Sequence, residues 1–422
     1  MENNYKLNKK FIMNNLHLRD LNFSQKDIEN ILSDSNFMNE CFITSQNMTI
    51  GTAILVKNQE NKISDAVLDA STISDKIVVC DTGSTDGTLK VLEKISTEIP
   101  LEIKTFAWEE NYAKMRNIAS SFLDTDWIFI IDSDETLESA ISIAQLKFCL
   151  AFLDRLFKGR DIVLSFRQNA ANMNGTGYPQ RLYRNSKSLS FWGYVHEELR
   201  SPNIVNIQTK LTLFNEGTHE LEIDKFNKSE RYDRLLLKNI EKEPNNPKWV
   251  ALLSQKWILD NLDTSYGMVM KLVNNIKKNE KSDDFFEINV FSVYIIILMG
   301  TSVDFANILE EIQVAKKIFS NHPIFFYFEH TLKLIEIDNL VLKQINLLRE
   351  DIDKIKAENN SNIDWLVYYP TENLECVMIK LLMKYEKYNM AYDMFLRNRQ
   401  ELMKTHLIDP EVNFFENIRI NN

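Results

Sequence analysis

The sequence predicts an α/β domain with parallel strands, preceded by helices and followed by an all-α region. Three observations predict it. Short β-branched runs alternate with polar, helix-compatible segments between Met48 and about residue 220. Beyond about residue 225 the strand signals fade, and aromatic and methionine stripes recur at helical spacing. Only 10 glycines and 8 prolines occur in 422 residues, too few for a large all-β fold or a disordered chain.

The elements follow in order. Residues 1–47 read as an N-terminal helical element. In "FSQKDIENILSDSNF", Ser24 is followed three residues later by Asp27, a capping-box start, and Ile28, Ile31 and Leu32 form an apolar stripe. Residues 48–224 form the α/β domain. "MTIGTAILV", "KIVVC" and "WIFII" are its strands. "NKISDAVLDAS", "TDGTLKVLEKIS" and "NYAKMRNIASSFL" are the helices around them, an alternation that requires parallel pairing through crossovers. "DIVLSFRQ" and "RLYRN" add two strands, with "NGTGYPQ" as a turn, and "FWGYVHEEL" brings a histidine and two acids. Residues 225–422 read as antiparallel helix pairs, a degenerate helical-repeat module. There "NPKWVALLSQKWILDNL" places Trp249, Leu252, Leu253 and Trp257 on one helical face, and Ala391, Met394 and Phe395 repeat the pattern. Such stripes are core rather than ligand site.

Composition excludes several classes. Hydrophobic residues make up 44%, enough for real cores, and the net charge is −11 with no long basic tract, which argues against a nucleic-acid surface. No run of about 18 apolar residues occurs, so no membrane span is expected. The first twenty residues lack an apolar core of signal-peptide length, which points to a cytoplasmic protein. Cys41, Cys80, Cys149 and Cys376 are too widely spaced for a zinc or redox pair and read as buried thiols.

Parallel sheets bind ligands at the carboxyl ends of their strands. Three polar clusters fall there: Lys57-Asn58-Gln59-Glu60, the run Asp81 to Asp86, and Asp132-Ser133-Asp134 in "DWIFIIDSDETL". An isolated Asp-x-Asp is ordinarily a loop after a strand. Three clusters at one edge call for more. One reading is a phosphatase with Asp132 as nucleophile and Asp134 as acid. It needs a later Gly-Asp metal motif, which this chain lacks, and it leaves the first two clusters without a task. The other is a cation clamp. Asp132 and Asp134 would hold Mg²⁺ or Mn²⁺ against a nucleotide-sugar diphosphate, since Mg²⁺ takes one or two carboxylates plus substrate phosphates. Asp81 would accept a nucleobase N–H, and Glu60 would hold a ribose hydroxyl.

"TAILVKNQE", "IVVCDTGSTDGT", "FAWEENYAKMRNIASSFLDTDWIFIIDSDE", "RLYRN" and "FWGYVHEEL" closely resemble the inverting GT-A-type glycosyltransferases. Within them they are similar to the bacterial peptide S-glycosyltransferases of the sublancin (glycocin) type, which attach a sugar to a cysteine of a bacteriocin precursor. The resemblance covers residues 48–220 and extends weakly over the C-terminal half, where that type carries a tetratricopeptide-like domain used for dimerisation. It implies a donor cleft of Val56, Asn58, Glu60, Asp81, Ser84, Arg116, Asp132, Ser133 and Asp134. It also implies that Arg181, Arg184 and Trp192 face the diphosphate and the acceptor. His196, Glu197 and Glu198 match the family's "VHE" segment. Inverting transfer needs a base opposite the leaving diphosphate, and Glu197 is favoured over Glu198, with His196 as orienter or metal ligand. The sequence departs from the type at "LFNEGTHE", where Asn215 stands near the place of a family histidine and His219 follows four residues on. His219 is therefore a candidate metal ligand beside Asp132 and Asp134.

The reading is a metal-dependent enzyme that moves glucose or an N-acetylhexosamine from a UDP-sugar to Cys, Ser or Thr of a bacteriocin precursor peptide, as a homodimer. One alternative keeps the chemistry and changes the acceptor to a cell-surface glycan or lipid-linked sugar. Another is an interaction scaffold with a vestigial catalytic half, against which Glu60, Asp81, Asp132 and Asp134 all stand.

Overall fold

The structure is a computed structural model that describes residues 2–170, 177–215, 228–301, 303–320, 322–358 and 371–420. The chain divides into two compact units, Met1–Met268 and Val269–Asn422.

The first unit begins with helices α1 (Glu2–Asn15), α2 (Gln25–Ser33) and α3 (Ser35–Asn47). Ser24 caps α2 through the expected capping box with Asp27, and Ile28 and Leu32 are buried while Ile31 is half-buried. These helices share one core with the sheet. Ile12, Leu16, Leu18, Met38 and Cys41 pack in the same cluster as Ile50, Ile54, Trp127 and Phe129. Strand β1 (Ile50–Val56), helix α4 (Ile63–Ile73), strand β2 (Lys76–Asp81), helix α5 (Thr88–Ile95), strand β3 (Glu102–Thr105), helix α6 (Tyr112–Ser120) and strand β4 (Trp127–Asp132) then alternate as expected.

Strand β5 (Glu135–Leu137), helix α7 (Ile143–Leu156) and strands β6 (Asp161–Ala170), β7 (Gln180–Arg184) and β10 (Ile204–Asn215) complete an eight-stranded mixed sheet. Its order is β3-β2-β1-β4-β7-β6-β10-β5. Strands β1 to β4 pair in parallel, and β7 runs antiparallel to both β4 and β6. The short strands β8 (Ser190–Trp192) and β9 (Glu198–Arg200) pair separately. Buried runs such as "KIVVCD" and "WIFIID" are what a strand covered on both faces requires. The register Val56↔Asp81 and Leu55↔Asp132 brings the ends of β1, β2 and β4 to one edge.

The stripe Trp249 to Trp257 does not lie on one helix. Helix Pro247–Ala251 stops, and Ser254 caps a second helix, Gln255–Asp260. Asp233 sets the break by accepting both the Ser254 N–H, at 2.8 Å, and the Ser254 hydroxyl, at 2.5 Å.

The second unit is helical: Phe285–Met299, Phe305–Ile318, Pro323–Glu358, Thr371–Lys384, Tyr388–Arg397, Arg399–Lys404 and Asp409–Ile420. Phe319 stacks on Phe325 with ring centres 5.3 Å apart, and Phe291 meets both rings edge-on. The apolar run Val290 to Met299 lies largely inside this unit, with Val290, Phe291, Tyr294, Ile295, Ile297 and Leu298 buried. Ala391 and Phe395 are buried in a second cluster around Ile379 and Leu402, with Met394 packed against it. Among the described residues, no helix is long and apolar enough to cross a membrane. The four cysteines are buried and unpaired, as expected.

Candidate active site at the carboxyl edge of the sheet

The loops after β1 and β2 are knitted together by side chains that accept backbone N–H groups. Asp81, buried at the last residue of β2, accepts the N–H of Gly83 at 3.0 Å and that of Ser84 at 3.1 Å. Gly83 has φ +98°, a conformation that favours glycine and allows this tight turn. Asn58, itself at φ +54°, accepts the Thr85 N–H at 2.7 Å and donates its own N–H to the Ser84 hydroxyl at 2.9 Å. Glu60 accepts the Gly87 N–H at 2.7 Å. The Val56 carbonyl, at the end of β1, accepts from Thr82. Such loops hold a fixed shape without a large core of their own.

The end of β4 is built differently. Asp132 accepts from two arginines, Arg116 on α6 at 2.7 Å and Arg181 on β7 at 2.8 Å. The same Arg116 guanidinium donates through Nε to Glu197 at 2.5 Å. The same Arg181 Nη2 donates to Glu135 at 2.6 Å. A continuous chain results: Glu197, Arg116, Asp132, Arg181, Glu135. Burial works against the Asp132 carboxylate, but the two guanidinium groups more than offset it and hold its pKa well below the usual range. Burial likewise opposes charge on Arg116 and Arg181, and the facing carboxylates raise both pKa values in spite of it. Asp132 is therefore a carboxylate and both arginines are cations. Ser133 is buried and Asp134 half-buried beside them.

Local structure aims Glu197 at this chain. The N–H groups of Tyr112 and Ala113, at the start of α6, donate to the carbonyls of Tyr194 and Gly193, which ties the "FWGYVHEEL" segment to the helix bearing Arg116. Asn239, fully buried in the helix Lys228–Lys242, clamps the segment through the Tyr194 N–H and the Val195 carbonyl. His196 then takes φ +51°, and the chain turns so that Glu197 meets Arg116. Glu198 faces elsewhere. It pairs with Arg200 at 2.8 Å and with Lys248, and Arg200 continues to Glu243 at 2.5 Å. Trp192 lies under the Arg200 guanidinium and against Trp249.

The remaining candidates are dispersed. Arg184 pairs in register with Trp127, at the opposite end of β4 from Asp132, and bonds Asp126 and Asp154. The His196 carbonyl accepts from Lys248 at 3.0 Å, and its ring meets Tyr232 edge-on. His219 lies outside the described residues, as do residues 174–176 of the expected turn. Sequence reasoning missed Glu135 and an aromatic wall of Trp108, Tyr112 and Tyr232, whose rings meet edge to face. Arg231 bonds the Tyr112 hydroxyl and lies over both tyrosine rings. For Glu135 a signal existed, a third acid directly after Asp132-Ser133-Asp134. For Tyr232, more than a hundred residues from Tyr112, none did.

The donor set bears on a metal ion. Among the described residues, no three His, Cys, Asp or Glu side chains gather as a ligand set. Both Asp132 oxygens face guanidinium groups. A hard cation bound mostly by substrate phosphates needs one or two carboxylates, and Asp134 is the carboxylate of the motif beside them. The residues present fit such a substrate-borne ion better than a protein cage.

Residues 53–204 match the model of glycosyl transferase family 2. The chain is 22% identical over 383 residues, 89% of its own length and 86% of the relative's, to the SPbeta prophage-derived glycosyltransferase SunS of Bacillus subtilis. It is 28% identical over 92 residues, 22% of its length and 31% of the relative's, to an uncharacterized glycosyltransferase of Rickettsia conorii. Among solved structures, S. aureus TarS 1–349 in complex with UDP-GlcNAc aligns over 68% of this chain and 92% of that one, with 15% identity and a TM-score of 0.35. With a match to glycosyl transferase family 2 over residues 53–204 and similarity to SunS over most of its length, the chain is a glycosyltransferase.

Proposed function

We propose that the protein is an inverting, metal-dependent transferase that moves glucose or an N-acetylhexosamine from its UDP-sugar to a cysteine, and also to serine or threonine, of a bacteriocin precursor peptide. The observation that carries the proposal is the chain from Glu197 through Arg116 to Asp132, at the edge where Asp81 and Val56 also end. It couples a carboxylate suited to a base with the motif suited to the donor. The length over which the chain is similar to SunS, together with the sublancin-type motifs, supports a peptide acceptor.

In this reading the uracil and ribose lie over the Asn58, Glu60, Asp81 and Ser84 loops, and the diphosphate lies beside Asp132, Ser133 and Asp134. A bound Mg²⁺ or Mn²⁺, held by Asp134 with Asp132 near it, would neutralise charge growing on the departing diphosphate. Glu197 takes the acceptor proton. The sulfur or oxygen lone pair forms the new bond to the anomeric carbon, and the bond from that carbon to the diphosphate oxygen breaks with UDP as leaving group. Attack opposite the leaving group inverts the centre. The Trp108, Tyr112 and Tyr232 wall lies on the acceptor side. Two copies pair through the tetratricopeptide-like helical region, in the cytoplasm.

The test is mass spectrometry of Cys-, Ser- and Thr-containing peptides incubated with the protein, UDP-glucose or UDP-GlcNAc, and Mn²⁺ or Mg²⁺. A hexose or N-acetylhexosamine adduct on Cys, with one UDP released per adduct and loss of activity in EDTA, is expected. UDP release only on addition of lipid-linked or polymeric glycans would contradict the peptide acceptor. Sedimentation as a monomer at micromolar concentration would contradict the dimer.

A further inference from the structure

The donor-side reading leaves one buried charge without a task. Glu135 is fully buried, so it touches neither donor nor acceptor. A carboxylate in that position is costly unless its oxygens are satisfied. Oε1 accepts from Arg181 at 2.6 Å, from Asn215 at 3.2 Å, and from Gln168. Oε2 accepts the backbone N–H of Asp132 at 3.1 Å. Glu135 thus grips Asp132 twice, at the main chain directly and at the side chain through Arg181, whose Nη2 is shared between the two carboxylates. The Asp132 carboxylate is then fixed from both sides, Oδ1 by Arg116 and Oδ2 by Arg181.

We propose that Glu135 is a positioning residue that sets the orientation of Asp132 for the donor diphosphate and its cation. A holder of the β4–β5 corner alone would need only its contact to the Asp132 N–H. Three further donors on the other oxygen, one of them a guanidinium shared with Asp132, serve the carboxylate. The inference rests on the donor-site reading above.

The experiment is a double-mutant cycle read by calorimetric binding of UDP with Mn²⁺ to the full chain. Glu135→Gln keeps the shape and removes the charge, and it should weaken UDP binding about 10-fold or more. In an Asp132→Asn background the same change should cost under about 2-fold, because the group it positions is already altered. If Glu135→Gln does not fold, Gln168→Met removes one donor and keeps the charge. It should weaken UDP binding by about 2- to 5-fold, again only where Asp132 is intact. Equal losses in both backgrounds, or unchanged binding in Glu135→Gln and Gln168→Met, would overturn the positioning role while wild-type binding stands. Absence of UDP binding by the wild type would overturn the donor-site reading and this inference with it.

Discussion

Two carboxylate clusters flank one turn of the chain. Glu197 belongs to an inner cluster with Arg116, Asp132, Arg181 and Glu135. Glu198, the next residue, belongs to an outer one with Arg200, Lys248 and Glu243. Both are networks of acidic and basic side chains, each with a glutamate paired to an arginine. At the two glutamates they differ in burial: the Glu197 and Arg116 side chains are 12% and 7% exposed, those of Glu198 and Arg200 33% and 32%, although Asp132, at 31%, is as open as Glu198. Water screens the outer pairs, so they contribute modestly and serve to dock the helices after residue 228 onto β9. The inner pairs lie where charge is costly to leave unmatched and where its position governs chemistry. Adjacent acids in one motif can therefore have different work, and burial tells them apart where residue type cannot.

The comparison is broken most severely at Arg116. Arg116→Met removes the partner of the buried Glu197 and leaves Asp132 to Arg181 alone. Removing one partner of a buried pair costs about 3–5 kcal/mol. Urea unfolding should show a loss of that order, and transfer activity should vanish. A stability change below about 1 kcal/mol, the scale of surface pairs, would mean that the inner cluster is no different from the outer.

A buried carboxylate without arginines sharpens the contrast. Asp81 is satisfied by backbone N–H groups, so its loss should loosen the donor loop and leave the inner cluster intact. Asp81→Ala should raise the donor KM by an amount equivalent to roughly 1.5–3 kcal/mol, the worth of a hydrogen bond to a charged group. The preference for UDP over GDP should also weaken. Competition assays with unchanged nucleotide preference would count against a base contact.

The smallest effect is expected in the outer cluster. The hydrogen bond from Arg200 holds the Glu243 pKa down, to about 2 against an ordinary 4.5, although burial opposes it. A depressed carboxylate stabilises the fold fully above its unfolded pKa, and that contribution is lost as pH falls through the folded value. Glu243→Gln should therefore lower stability by about 1 kcal/mol at pH 7. The difference from wild type should shrink between about pH 4.5 and pH 2. Unfolding midpoints across that range provide the check, and activity at pH 7 should stay within about 2-fold.

Much of this was legible in the sequence. β1, β2 and β4 are β-branched runs because both faces of a parallel sheet are covered, and the ends of those runs mark the three polar clusters in the sequence itself. β3 was hidden because its four residues, "EIKT", lie at an edge and carry little apolar signal. β10 was missed although "IVNIQTKLTLFN" alternates as a half-buried strand should, and its burial follows that alternation. Arg184 and Arg181 look equivalent in "RLYR", yet the register of β7 against β4 sends them to opposite ends. The capping box at Ser24 is a local signal and was readable. The pairing of Glu197 with Arg116 spans 81 residues and depends on Asn239, so no local signal carried it.

The central claim is that Glu197, and not Glu198, removes the acceptor proton. A free cysteine has a pKa near 8.5, so part of it is already thiolate at neutral pH, whereas a serine hydroxyl has no such fraction. The most direct test is the single-turnover rate against pH, from pH 6 to about 9, for otherwise identical Cys and Ser peptides with wild type, Glu197→Gln and Glu198→Gln. We expect Glu197→Gln to lose about 10²–10⁴-fold on the Ser peptide, the usual contribution of a general base. Its loss on the Cys peptide should be smaller and should diminish as pH rises, while Glu198→Gln stays near wild type on both. Equal losses of Glu197→Gln on the two peptides at every pH, or the Ser-selective loss appearing in Glu198→Gln instead, would contradict the claim.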